Sequence, residues 1–157
     1  MTSKRISHWL MKSEPDAFSI DDLERKGQEA WDGVRNYQAR NMLRDEMRRG
    51  DQVFLYYSSC EVPGIVAIMQ VVKQGYPDPT AFDRKHHHYD AGSDPQNPRW
   101  FMVDVQLKRR LARTIALEEL RAHAARELKG MVLLRPGNRL SVTPVEPAHW
   151  KFILSLE

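Results

Sequence analysis

At 157 residues and 41% hydrophobic, the chain suits one folded domain, residues 1–157, and a domain near 150 residues buries about 70% of the surface its unfolded chain exposes. Its 24 basic and 21 acidic residues leave a net charge of only +3, too small an excess to define a nucleic-acid partner by itself. No apolar run approaches the roughly 18 residues of a membrane span, residues 1–12 lack the apolar core of a signal peptide, and the lone Cys60 excludes an internal disulfide, so an intracellular, cytoplasmic protein is expected.

In chain order, residues 6–12 read as a strand that stops at Ser13-Glu14-Pro15, where proline interrupts regular structure. Ser19, three residues before Asp22, marks a helix start; Ile20 and Leu23 give that helix an apolar side, and Gly27 closes it. Next comes the run Trp31-Asp32-Gly33-Val34-Arg35-Asn36-Tyr37, in which Asp32-Gly33 is a turn dipeptide and Asn36 a helix N-cap. The helix predicted over 36–49 carries an apolar row, Ala39, Leu43 and Met47, and a basic row, Arg40, Arg44 and Arg48, at four-residue spacing. It stops at Gly50.

Residues 53–58 and 65–73 are β-rich runs separated by a polar turn containing Pro63-Gly64, which predicts an antiparallel hairpin. Alternation sends Val53, Leu55 and Tyr57 one way and Phe54, Tyr56 and Ser58 the other. Residues 100–108 alternate cleanly, with Phe101, Val103, Val105 and Leu107 apolar and Asp104, Gln106 and Lys108 polar. A helix over 117–128 follows, with Leu117, Leu120, Ala124 and Leu128 on its buried stripe. Leu140 and Val142 mark a last core strand, and Pro147 opens a terminal helix. The stretch 75–99 is too long for an ordinary connection, since loops beyond roughly 12–15 residues are usually functional or disordered. Its Tyr76, Phe82 and Tyr89 predict that it folds back onto the body as a lid or pocket wall.

Enzyme signatures are absent: there is no Gly-x-Ser-x-Gly elbow, no phosphate-binding glycine loop and no His-Glu-x-x-His helix. Cys60 stands beside Glu61 without a basic activator in sequence and reads as inert. His86, His87 and His88, near Asp83, Asp90 and Asp94, form the one cluster of metal-ligating type. Consecutive side chains of an extended segment point oppositely, so no metal site and no cofactor are expected.

The run from Trp31 carries the most specific chemistry. An indole beside a helix N-terminus, with the amide of Asn36 and the phenol of Tyr37 nearby, suits a flat polar ligand. The plain alternative is a packed tryptophan, a capped helix and a solvated charged face. Together with Trp9-Leu10-Met11-Lys12-Ser13-Glu14-Pro15, Pro63-Gly64-Ile65, His88-Tyr89-Asp90 and Arg139-Leu140-Ser141-Val142, in that order and spacing, the sequence resembles the EVE domain family over 9–156. The resemblance implies an α/β (α+β) fold of the PUA-like superfamily, a small curved sheet or β-barrel flanked by helices. It implies kinship with YTH domains, which read N6-methyladenosine in an aromatic cage.

Functionally, the resemblance implies a non-catalytic nucleic-acid-binding module that accommodates a modified, flipped-out base in an aromatic pocket. Modified cytosine in DNA is the foremost ligand and RNA the alternative partner. Trp31 falls where a YTH cage tryptophan stands, and Lys12-Ser13-Glu14 where those relatives have a Lys-Ser strand end. A typical EVE strand carries a Tyr-His-Ser step; here Tyr56-Tyr57-Ser58 puts Tyr57 in place of the histidine.

The candidate base pocket comprises Lys12, Ser13, Glu14, Trp31, Asp32, Asn36, Tyr37, Tyr56, Ser58 and Tyr89, with Tyr89 or Tyr56 expected to face Trp31. Stacking a base on an aromatic ring contributes about 1–3 kcal/mol, and polar groups left unpaired by the wrong base supply discrimination. Arg35, Arg40, Arg44, Lys108, Arg109 and Arg110 are the candidate phosphate contacts. Two other classes stand beside this reading: an RNA-binding PUA-like module, and a small nucleotide-acting enzyme using Glu14 or Asp32 as general base.

Overall fold

Two apolar alternations on the same strands decide the architecture. The structure, a computed structural model, describes residues 6–157, so the first part of the stretch 1–12 read above lies outside them. Six strands, β1 (His8–Ser13), β2 (Gln28–Trp31), β3 (Gln52–Tyr57), β4 (Gly64–Pro77), β5 (Phe101–Ala116) and β6 (Val142–Val145), form one sheet in the order β2-β5-β4-β3-β1-β6. β1 and β3 pair in parallel, and the other pairings are antiparallel. On β3, Val53 and Leu55 enter one core with Trp9 and Met11, while Phe54 and Tyr56 enter a second core with Leu10. Both sheet faces are therefore covered, as a run apolar on successive residues requires.

The helices divide accordingly. α1 (Ile20–Lys26) and α2 (Tyr37–Asn41) cover the first face through Leu23 and Ala39; α3 (Leu117–Ala122) and α4 (Pro147–Ser155) cover the second through Leu120, Trp150 and Ile153. The Ser19 hydroxyl accepts the Asp22 amide at 3.3 Å to open α1, and Gly27, at φ +85°, closes it. Asn36 Oδ1 accepts the Ala39 amide at 2.9 Å to open α2.

The helix expected over 36–49 is cut short. α2 gives way to a π-turn at Met42–Glu46, closed by the Met47 amide donating to the Met42 carbonyl at 2.8 Å, and Met47 itself is extended. The wider turn lets Met42, Leu43 and Met47 all reach the first core, and the four-residue register breaks before Arg48: Arg40 and Arg44 both reach the start of β5, whereas Arg48 follows the extended Met47. The helix expected over 117–128 likewise ends at Ala122, and tight turns carry the chain to the buried Leu128. Conversely, β5 runs well past the expected 108, to Ala116: Val103 and Val105 face the first core and, beyond the register shift at Ile68/Met69, Leu111 and Ile115 face the second.

Register shifts at Leu55/Tyr56 and along β4–β5 bend the strands. The result is visible in what meets. Lys12 and Ser13 at the end of β1 share a cavity with Trp31 at the end of β2, although β3, β4 and β5 stand between them in the sheet. The sheet thus curls around the first core until its two sides face each other.

Candidate nucleic-acid interface

The cavity occupies the mouth of this curl. Its volume is about 540 Å³, within the roughly 300–1,000 Å³ typical of small-ligand sites. Of the expected base-pocket residues, Lys12, Ser13, Trp31 and Asp32 line it, as does Arg35 from the expected phosphate set. Trp31 is 5% exposed and belongs to the first core, yet part of it forms the cavity wall. Elsewhere Trp9 and Trp100 donate their indole N–H groups to Asp51 Oδ2 (2.9 Å) and Asp90 Oδ2 (2.6 Å). The Trp31 N–H has no such partner among the described residues.

Neither tyrosine expected opposite Trp31 lines the cavity. Tyr56 packs into the second core on the other sheet face, because alternation along β3 sends it there with Phe54. Tyr89 is exposed and outside the lining. Phe18 takes the adjacent place, with ring centroids 4.4 Å apart and planes inclined by 43° to Trp31. The loop bearing Phe18 is pinned by Tyr57, whose hydroxyl donates to the Phe18 carbonyl (2.7 Å) and accepts the Ile20 amide (3.0 Å). Burial pushes the Tyr57 phenol pKa up. Tyr57 thus acts on the cavity through the Phe18 loop. Phe18 was legible in principle: a large apolar residue directly before an N-cap, with Leu23 four positions into the helix, is a hydrophobic staple.

The remaining expected residues stand around the site. Glu14 is exposed, its carbonyl accepting from Ala17 and Phe18. Asn36 is consumed as a cap. Tyr37 stacks on Trp100 at 4.9 Å. Ser58 binds the Ser13 carbonyl through its amide, at 2.9 Å, behind the lining.

The segment 75–99 forms a wall, as expected, through His86, His87 and His88. Successive turns, with the His86 amide donating to Asp83 and the Tyr89 amide to His86, set one ligand atom of each histidine within 4.8 Å of the others. The expected divergence of the rings therefore does not occur, because the segment turns and is not extended. His86 Nδ1 accepts the His88 amide at 3.1 Å, and burial lowers the His88 pKa, reinforced by His87. The His88 ring lies over Gly33, where a Cβ would meet it at 2.2 Å. Glycine is thus favoured by its φ of +79°, and any side chain here would have to displace the His88 ring.

Asp78 ties this wall to the Trp31 turn. It is fully buried, accepts the Gly33 amide (2.8 Å) and Arg35 Nη1 (3.1 Å) on Oδ2, and accepts the Thr80 amide and hydroxyl on Oδ1. Burial would raise its pKa, but the bonds from Thr80, Gly33 and Arg35 outweigh it and hold the carboxyl below its usual range. Arg35 also donates twice to the His88 carbonyl, at 2.7 and 3.1 Å. Its guanidinium is thereby occupied inside the protein.

Of the other expected phosphate contacts, the four arginines are also engaged. Arg40 donates to the Arg99 carbonyl at 2.7 Å, Arg44 grips Asp45, Arg109 grips Glu157, and Arg110 bridges Asp21 and Glu24. Lys108 is exposed on the same strand. Among the described residues no helix is long and apolar enough to cross a membrane.

A curled mixed sheet with a tryptophan at its mouth, walled by a folded-back loop, defines a small α/β ligand-binding domain. The chain belongs to the EVE domain family, whose sequence pattern matches residues 7–156. It is 46% identical to human thymocyte nuclear protein 1 over 168 residues, covering 96% of this chain and 74% of that protein. The crystal structure of the human protein in complex with 5-methylcytosine-containing DNA matches with a TM-score of 0.89 at 47% identity, covering 96% of each chain. A Pseudomonas putida protein matches with a TM-score of 0.91 at 46% identity, covering 96% of this chain and 99% of that one.

Proposed function

We propose that this chain is a non-catalytic reader of nucleic acid that accepts a modified, flipped-out base, a modified cytosine in DNA foremost, in the cavity beside Trp31. The observation that carries the reading is the indole of Trp31 at the cavity wall of a fold matching, along its length, a protein solved with 5-methylcytosine-containing DNA. Lys12, Ser13 and Asp32 supply hydrogen-bonding groups around the ring edge. Extruding the base costs a few kcal/mol, which stacking on Trp31 offsets by about 1–3 kcal/mol. Such a function places the protein with intracellular nucleic acid.

The enzyme alternative finds less support. Glu14 and Asp32, the carboxylates it would use, are both exposed, and the buried Asp78 and Asp51 are held in structural bonds, Asp78 as above and Asp51 by the Trp9 indole and the amides of Ser7 and Arg48.

The test is a panel of short oligonucleotides, deoxyribose and ribose, carrying cytosine, 5-methylcytosine or other modified bases, titrated at fixed salt against wild type and Trp31→Ala. The expected result is preference for a modified base in DNA, lost about 5- to 150-fold in a folded Trp31→Ala variant. Equal affinity for all bases, or an unaffected folded variant, overturns the reading; preference for ribose moves the chain to the RNA-binding class.

A further inference from the structure

A second cleft, of about 360 Å³, lies on the other side of the β1 end. Lys12 lines both cavities; the loop after α3 gives Ser141 to the first and Arg135 and Asn138 to the second. The two clefts therefore adjoin where β1 outruns its partner β6, whose pairing stops at Met11. The chemistry of the second is one-sided. Lys12, Arg121 and Arg135 are its charged residues, and no carboxylate lines it. Among the described residues none of these three cations has an acidic partner, whereas Arg44, Arg109, Arg110 and Arg113 are all paired. Asn138 adds a polar group that lacks what it needs. Its Oδ1 accepts the Leu140 amide at 3.2 Å, but its buried Nδ2 donates to nothing. Tyr56, excluded from the first cavity, lines this one, with the Lys12 ammonium 5.9 Å from its ring centroid.

Uncompensated cations, an orphaned amide donor and the absence of lining acids together select an anion with several acceptor oxygens, the chemistry of a phosphate group. We propose that this cleft holds a backbone phosphodiester of the strand whose modified base enters the Trp31 cavity, with Lys12 as the shared wall. The assignment rests on the reading of the first cavity as a base site. It moves the phosphate path away from Arg44 and the basic run of β5, whose arginines would first have to release their carboxylates.

The experiment compares Arg121→Gln/Arg135→Gln with Arg109→Gln/Arg110→Gln, using a fluorescent 5-methylcytosine oligonucleotide and its unmodified twin between low and moderate salt. All four arginines are solvent-exposed, and thermal melting checks that each variant remains folded; Arg135→Glu alone is the second probe. The cleft variant should lose at least about tenfold in affinity for both oligonucleotides, keep their ratio, and lose about 0.7–0.9 unit of salt slope per contact removed. The β5 variant should change neither. Unchanged affinity and slope in the cleft variants, with base preference intact, overturns the cleft alone. Failure of the wild-type chain to bind any oligonucleotide overturns the base site and the cleft with it. Inorganic phosphate that binds wild type but not the cleft variant, while oligonucleotide affinity stays the same, assigns the cleft to a free anion and overturns the strand assignment.

Discussion

Asp78 shows how one side chain can hold a site that it does not line. Removing its carboxylate leaves the Gly33 amide without its acceptor and the partly buried Arg35 guanidinium without its counter-charge. Breaking a buried ion pair from one side costs about 3–5 kcal/mol, and with Arg35 22% exposed the lower end is expected for Asp78→Ala, read as a shift in urea midpoint. The pH dependence has a defined sign. A carboxyl held below its unfolded value contributes stability that is fully present above that value, about 3.9, and is lost as pH falls through the lower folded value. The gap in stability between wild type and Asp78→Asn should therefore be constant above pH 5 and shrink progressively below pH 4. A gap that widens on acidification would contradict the bonding described.

At the scale of elements, the Phe18 loop and β3 are coupled by a single phenol. Tyr57→Phe removes both bonds of that hydroxyl while keeping the ring, and a net loss of about 0.5–1.5 kcal/mol per bond follows. Base affinity should fall more than global stability does, because the loosened loop is a cavity wall; calorimetric titration and melting of the same variant make the comparison. A drop in stability with base affinity preserved would show that Phe18 does not shape the site. Much of this level was legible in the sequence. The caps at Ser19 and Asn36, the hairpin of β3 and β4 and the wall at 75–99 follow from local chemistry. The shortened α2 did not, since a four-residue repeat in Arg40, Arg44 and Arg48 concealed the five-residue relation of Met42 to Met47. The length of β5 was hidden in the same way: Lys108, Arg109 and Arg110 look like a loop until Leu111 and Ile115 beyond them are seen to enter the second core. Trp31, Lys12 and Ser13 could be named as neighbours through the family resemblance, but not Ser141 or the role of Asp78. Those depend on which segments the curl brings together, and no local pattern encodes it.

For the whole molecule, the decisive feature is that β1 and β3 lie side by side and parallel. Parallel neighbours cannot be joined by a tight turn, so residues 14–51 must travel out and return before the pair forms. That excursion contains α1, β2, Trp31 and α2, and it reaches the far edge of the sheet before coming back. Contacts so distant in sequence form slowly, because chain entropy is lost before they give anything in return. The antiparallel β4–β5 pair does not depend on the excursion and should gain its protection first. In pulse-labelled hydrogen exchange during refolding, the amides of Trp31 and Met11 should become protected together, after those in the centre of β4 and β5. Protection of Trp31 ahead of Met11 would separate the two events. A nascent chain of this kind has no partly built receptor to expose: the recognition surface comes into being in the same kinetic step that closes the fold.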